Sequence, residues 1–396
     1  MAGPLDGVRV LDLSMLLPGP LCSQHLADMG AEVIKIENPR LGDGTRYLGE
    51  KIKQNQAEES AMFLLLNRNK KSITLNLKRE GGKRVFLKLL EKTDVLLEGF
   101  RPGTMAELGL GFEDLKEKYP RLIYCAISGY GASGPLRDMA GHDGNFQARS
   151  GLLSLNKTPH GEPVLPGFQI ADVAASFVAL AGILAALYAR EKTGRGQFVD
   201  VSMLDSAFNL IHLYAALYLA TGKNPRPGYE VLSGKLPNYA IYKTKEGRYV
   251  MLAALEERFF RTFLRQIGKE EILEGKNWEK EEDLDYVRRE ISAYFRQKTL
   301  EELEDLFRHS DVCLSPVKEL GEVFHDEQLK ARGQIVKLPH PRLGEYTALG
   351  SPFFFSETPI SYRFFPPGHG EHTKEILEGL GFSDKEMEEL RQNREI

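Results

Sequence analysis

A histidine and an aspartate stand side by side between glycines in AGHDGNFQARSG, residues 140–151, a stretch with neither helical nor strand periodicity. An imidazole titrates near neutral pH, so His142 is a candidate proton carrier, although a His-Asp pair among glycines also fits a turn residue beside a helix cap. Asp172 is the second candidate. It precedes the most apolar stretch of the chain, where a carboxylate caps free backbone N–H groups. At the rim of a sheet the same group also suits a general base or a covalent nucleophile. Glu256, next to Glu257 in AALEERFF, is the third; two glutamates before a helix are also what a solvated first turn looks like.

Other stretches narrow the chemistry. RNKKS (68–72) and EGFRPG (98–103) bring basic residues to strand edges, where anions can be held by side chains and backbone N–H groups. SGYGASG (128–134) contains a formal GxGxxG, but Pro135 and Arg137 follow in what reads as loop, so a dinucleotide fingerprint is not expected. The chain has no P-loop, HExxH or GxSxG, which removes the best signals for nucleotide hydrolysis, zinc proteolysis and nucleophile-elbow serine chemistry. Three cysteines, Cys22, Cys125 and Cys313, lie far apart outside CxxC spacing, so neither a disulfide framework nor a thiolate metal site is expected, and a reducing cytoplasm fits. A net charge of −4 gives no electrostatic case for nucleic acid, and the first ten residues lack the pattern of a cleaved secretion signal.

The elements that must position these residues follow from periodicity. GVRVLDLS, AEVIKIE, KSITLNLK, VLLEGF, RLIYCAIS and GQFVDVSM read as strands, with helices in LCSQHLADMG, EGGKRVFLKLLEKTD and EDLKEKY between them. This alternation predicts an α/β fold with a parallel sheet covered on both faces. The apolar run Val173–Ala189 is short for a bilayer and is read as a buried helix, with no membrane role; LDSAFNLIHLYAALYLATG is read as another buried helix. GKNPRPG, residues 222–228, marks a boundary, and Tyr229–His325 is expected to form a smaller α+β unit with a hairpin turned at Lys245–Gly247 and amphipathic helices after it. The remainder is Pro- and Phe-rich before a terminal pair of helices.

Taken together, PLDGVRVLDLS with LLPGP, GAEVIKIENP, LNRNKKSITLNLK, DVLLEGFRPGTMAELGLG, the SGYG loop, ILAALYAREKTGRGQFVDVSM and GEHTKEILEGLGFS resemble the family III CoA-transferases (the CaiB/BaiF family), closest to the branch of the α-methylacyl-CoA racemases. The resemblance implies a large Rossmann-like domain built from residues 1–225 and 326–396, a small α+β domain at 226–325, and an interlocked homodimer. It also implies an acyl-CoA substrate, with CoA belonging to that substrate and no further cofactor or metal. Asp172 matches the aspartate that attacks the acyl thioester in transferases and exchanges the α-proton in racemases. His142 matches the racemase GHD histidine, Glu256 its partnering glutamate, and the Asp143 N–H the enolate-oxygen donor. Arg40, Leu75, Gly99, Phe100 and Arg101 are the implied CoA contacts.

Leu17 stands where formyl-CoA transferases resemble one another in using glutamine. Asn38 replaces an arginine common in the family, with Arg40 two positions on. GNFQARSG in place of INYLALSG adds Gln147 and Arg149, which would favour a polar acyl group. The expected reaction is racemisation or epimerisation of a 2-methylacyl-CoA, with transfer of CoA from an acyl-CoA donor to a carboxylic acid acceptor through an aspartyl-CoA thioester on Asp172 as the alternative.

Overall fold

In the computed structural model, which describes residues 3–158, 160–226 and 228–396, the chain forms two compact units. Pro227, inside the expected boundary, lies outside the described residues. The first unit combines residues 1–152, 166–211 and 327–396; the second combines 153–165 and 212–326.

The first unit is built on six parallel strands: β1 (Arg9–Asp12), β2 (Glu32–Glu37), β3 (Lys70–Thr74), β4 (Val95–Glu98), β5 (Ile123–Ser128) and β6 (Phe198–Ser202). Their spatial order is β3-β2-β1-β4-β5-β6, that of a doubly wound dinucleotide-binding sheet. The central strands carry apolar residues on both faces because each face is covered by a helical layer. On one side Leu11, Ile34, Ile73, Leu96 and Tyr124 pack with helix α2 (Glu80–Leu90) and with Ile376, Leu377, Met387 and Leu390 from the C-terminal helices. On the other, Val10, Val33, Val95, Ile123 and Cys125 pack with α1 (Pro18–Asp28) and a long helix at 170–193. The last strand and the last helices thus close the layers begun by the first residues.

Two expectations are corrected by the structure, and two hairpins are added. The helix at 170–193 spans 24 residues, long and apolar enough by length and composition to cross a membrane, and it is only half-buried. Ala175, Ala179 and Ile183 face the sheet while Phe177, Val178 and Tyr188 are exposed. The stretch read as one further buried helix is two. A short helix, Met203–Phe208, ends where the Asn209 amide bonds back to Asp205 and tight turns at Leu210 and Ile211 break the run. The helix that follows, His212–Thr221, has no buried residue. Finally, the Pro-rich segment contains an antiparallel hairpin, Ile335–His340 with Gly344–Leu349, and Lys51–Gln54 pairs with Ala57–Ser60 in another. The fold is therefore mixed α/β, a parallel sheet with added antiparallel ones.

The second unit has its own core. Strands β7 (Tyr239–Lys243) and β8 (Tyr249–Ala253) form the expected hairpin, and β9 (Leu314–Pro316) joins β8 on its other edge. Phe260, Phe263, Phe295 and Phe307, from the helices Glu257–Gln266, Glu281–Phe295 and Leu300–Phe307, pack with Tyr242, Val250 and Leu252. Residues 153–165, which the sequence placed with the first domain, belong to this unit.

Candidate active site at the carboxyl edge of the sheet

In the strand order, β1 lies between β2 and β4, so the chain leaves its carboxyl end in one direction and the chain leaving β4 goes the other way. Such a switch point opens a crevice between the two following loops, here Leu13–Leu17 and Gly99–Gly103. The LLPGP and EGFRPG stretches therefore flank one cleft.

The loop after β1 is fixed from beneath by buried charges. Asp12, fully buried, accepts Ser14 N–H at 2.9 Å and Ser23 Oγ–H at 2.5 Å, and pairs with Lys70 Nζ at 3.2 Å. Lys35 Nζ donates to Ser14 O at 2.8 Å and to Asp43 at 2.8 Å; Asp43 in turn accepts Leu16 N–H at 3.2 Å. Burial would raise the Asp12 carboxyl, but Lys35, Lys70 and the Ser14 and Ser23 hydroxyls outweigh it and hold it at about 2. The lattice holds Leu16 at a φ of 66°, a left-handed conformation that a branched residue rarely adopts, and Met15 and Leu16 point outward. Gly19 is needed because a Cβ there would meet the Ser14 side chain at 2.1 Å. Lys70 lies in RNKKS, read in the sequence as an anion-holding strand edge, but it is buried on Asp12 instead; Asp12, Lys35 and Asp43 were not singled out, and their readable signal was charged residues at the ends of apolar strands.

The second component is the junction of two helices, α3 (Asp143–Arg149) and α4 (Ile170–Thr193). Because α4 leads back into parallel strand β6, its first turn lies at the carboxyl edge of the sheet. Phe146, fully buried, packs edge-on against Tyr130 and beside Ala171. The same packing explains the glycine before His142, since a Cβ on Gly141 would come within 2.8 Å of Phe146 and 2.9 Å of the Tyr130 hydroxyl.

Asp172 does not act as the cap that its position suggested. The helix begins two residues earlier, and Asp143 Oδ1 accepts the N–H groups of Ala171 at 2.7 Å and Asp172 at 3.2 Å, while Asp143 Oδ2 accepts the Gln147 amide. Asp143 thereby performs the capping, and the Asp172 carboxylate has no hydrogen bond or ion pair among the described residues. Burial chiefly, with the Asp143 charge, raises Asp172 to about 6, and His142 pulls in the opposite direction. His142 adjoins Asp143, whose carboxylate accepts the Asp172 N–H, so the imidazole belongs to the same junction. His142 is exposed, and the Asp143 N–H at the first position of α3 donates to no group among the described residues.

The remaining candidates are dispersed. Glu256 is exposed in the second unit, at the N-cap of the helix Glu257–Gln266. Arg40 is exposed after β2, where Asn38 Oδ1 accepts its N–H. Leu75 has its side chain in the core and its N–H on Glu37 O. Gly99 and Arg101 are exposed in the β4 loop, and the Phe100 N–H donates to Glu98 at 2.6 Å. Gln147 is buried against Asp143, whereas Arg149 is exposed, so the polarity added in this motif falls on opposite sides of α3.

A doubly wound parallel sheet with an unpaired carboxylate and an imidazole at helix starts on its carboxyl edge defines an α/β enzyme with its chemistry at that edge. The chain belongs to CoA-transferase family III, whose family model matches residues 5–373. It is 34% identical over 392 residues to the human succinyl-CoA:glutarate CoA-transferase, covering 98% of this chain and 88% of that protein. It is equally 34% identical over 394 residues to the human alpha-methylacyl-CoA racemase, covering 99% and 97%. Among solved structures, a CaiB/BaiF family protein from Brucella suis matches with a TM-score of 0.84 and 30% identity over 96% of this chain and 100% of that one.

Proposed function

We propose that the protein racemises or epimerises a 2-methylacyl-CoA by 1,1-proton transfer at the carbon next to the thioester. The supporting observation is the junction of α3 and α4, where Asp143 takes over helix capping and leaves the Asp172 carboxylate unpaired beside an exposed imidazole. In one direction Asp172 removes the α-proton, and the electron pair moves onto the thioester oxygen to give a planar enolate. The imidazolium of His142 then returns a proton to the opposite face; for the other enantiomer the two residues exchange roles. The Asp143 N–H is the donor assigned to the enolate oxygen, a contact worth about 3 kcal/mol in comparable sites. CoA is part of the substrate, and Arg40, Gly99, Phe100, Arg101 and the backbone at Leu75 are its proposed contacts in the cleft between the β1 and β4 loops. A homodimer is proposed from the helix His212–Thr221, whose Leu213, Tyr218 and Leu219 are exposed, an apolar face of the kind a second copy covers.

The transfer reading uses the same carboxylate differently. Asp172 attacks the acyl thioester and CoA leaves as the thiolate; the thiolate then attacks the aspartyl carbonyl of the anhydride, expelling the donor carboxylate and leaving an Asp172–CoA thioester, from which an acceptor carboxylate takes CoA by the same two steps in reverse. The unpaired state of Asp172 favours this step as well, but it gives His142 no proton to carry. Incubation of a single 2-methylacyl-CoA enantiomer in deuterated water without an acceptor acid separates the two. Racemisation gives deuterium at the α-carbon and loss of enantiomeric purity. An inert α-proton, with CoA moving only after a free acid is added, contradicts the proposal.

A further inference from the structure

A cavity of about 350 Å³ opens on the sheet face opposite α4, beyond the carboxyl ends of β4 and β5. Glu98, the last residue of β4, is 6% exposed and lines it. One of its oxygens accepts the Phe100 N–H; no other hydrogen bond and no ion pair reaches it among the described residues. On the neighbouring strand Tyr124, 2% exposed, also lines the cavity, and its hydroxyl has no hydrogen-bond partner among the described residues. Two polar side chains that are more than nine-tenths buried therefore line the same space, Glu98 with one oxygen free of protein donors and Tyr124 with its hydroxyl unpartnered among the described residues, which leaves both able to bond an occupant.

The lining indicates what would occupy it. Phe112, Tyr124 and Phe198 form a ring cluster with centroids 5.5 to 6.1 Å apart. Glu113 and Asp114 stand at the rim, and Asp200 on β6 is close enough to act on Glu98 electrostatically. Arg137 is the one cation among the lining residues, half-exposed at the opening and 3.5 Å from Asp138. Carboxyl groups outnumber cations, so phosphate and carboxylate ligands are repelled, whereas a cation gains both from the rings and from Glu98.

We propose that the cavity bounded by Glu98, Tyr124, Phe112, Phe198 and Arg137 is a binding site for a small organic cation of the ammonium type, separate from the Asp172 junction. Without a ligand, burial, together with Asp200 and despite the Phe100 N–H, raises the Glu98 carboxyl to about 7. Tyr124 is also pushed upward by burial and by Glu98 and stays neutral, so proton loss from Glu98 is what switches the site on. Cation binding then requires the ionised carboxylate, with Arg137 opposing, Asp114 and Asp200 assisting, and Glu113 offset by its ion pair with Lys116.

The test is calorimetric titration of the whole protein with benzylammonium and with its neutral analogue, benzyl alcohol. The cation should bind about tenfold more tightly near pH 8 than near pH 6, following the ionised fraction of a carboxyl that titrates at about 7, while the alcohol binds weakly at both. E98Q should abolish the pH dependence and the preference for the cation. In case that variant does not fold, R137A removes the opposing charge at the opening and should tighten the cation roughly threefold at low salt. Equal binding of the alcohol, affinity independent of pH in the intact protein, or no binding of benzylammonium at millimolar concentration would each overturn the assignment.

Discussion

Two buried or half-buried aspartates at the carboxyl edge of the same sheet have opposite fates. Asp12 at the end of β1 is surrounded by Lys35, Lys70, Ser14 and Ser23, and its carboxyl is held at about 2. Asp172 in the first turn of α4 has its helix-capping work done by Asp143, no partner of its own, and a carboxyl raised to about 6. Pairing turns the first into a structural strut for the loop after β1. Withholding partners leaves the second with a basicity suited to taking a proton near neutral pH.

The same substitution at both positions breaks the comparison most directly. D172N should lower turnover by about 10⁴-fold, at the upper range for removal of a general base, while leaving thermal stability at pH 8 undiminished because no ion pair is lost. D12N should cost about 3 to 5 kcal/mol in urea unfolding, since it strands Lys70 in the interior with a lost counter-charge. A stable D12N or an active D172N would erase the distinction.

H142A sharpens the comparison at the site itself. Under racemisation it should slow proton exchange from one enantiomer by at least about a hundredfold and leave exchange from the other much less affected, read by deuterium incorporation into each pure enantiomer. Equal slowing of both enantiomers would remove His142 from the second face.

A smaller effect is expected from D143A, which removes the cap of α4 while retaining both reacting groups. Stability should fall by about 1 kcal/mol, and loss of the neighbouring negative charge should shift the acidic limb of the pH-rate profile downward. An unchanged limb would show that Asp143 has no hold on Asp172.

The two carboxyls also act on stability with opposite signs. Asp12, lowered from 3.8 to about 2 by folding, contributes stability that is present above about pH 4 and is lost as pH falls toward 2. Asp172, raised from 3.8 to about 6, favours the folded state when protonated, and that contribution disappears as pH rises through 6. Acid unfolding curves of D12N and D172N, each compared with the parent, read these two contributions separately.

Much of the architecture was legible because it rests on local patterns. Adjacent apolar residues at Val10–Leu11, Val33–Ile34, Val95–Leu97 and Ile123–Ile127 put apolar side chains on both faces of short runs, which reads as strands covered on both sides, and the intervening amphipathic stretches supply the covers. His142 and Asp172 could be named as candidates from residue type and position. What could not be read was who satisfies whom. That Asp143 reaches 28 residues along the chain to cap α4 depends on the packing of Phe146 against Ala171, and no spacing rule encodes it. The Asp12–Lys70 and Lys35–Asp43 pairs likewise join residues on different strands and loops. The break at Asn209 was missed because the apolar pattern continues across it while a side-chain hydrogen bond ends the helix, and the hairpin at 335–349 was hidden by its prolines.

The central claim is that Asp172 is kept unpaired so that it titrates near neutrality. Infrared difference titration of the carboxyl groups, with the Asp172 band assigned by its loss in D172N, measures this directly. A midpoint at about 6 that drops in D143A is the predicted result. A midpoint at or below the ordinary aspartate value of 3.8 would mean that the carboxylate has a partner after all, and would contradict the account.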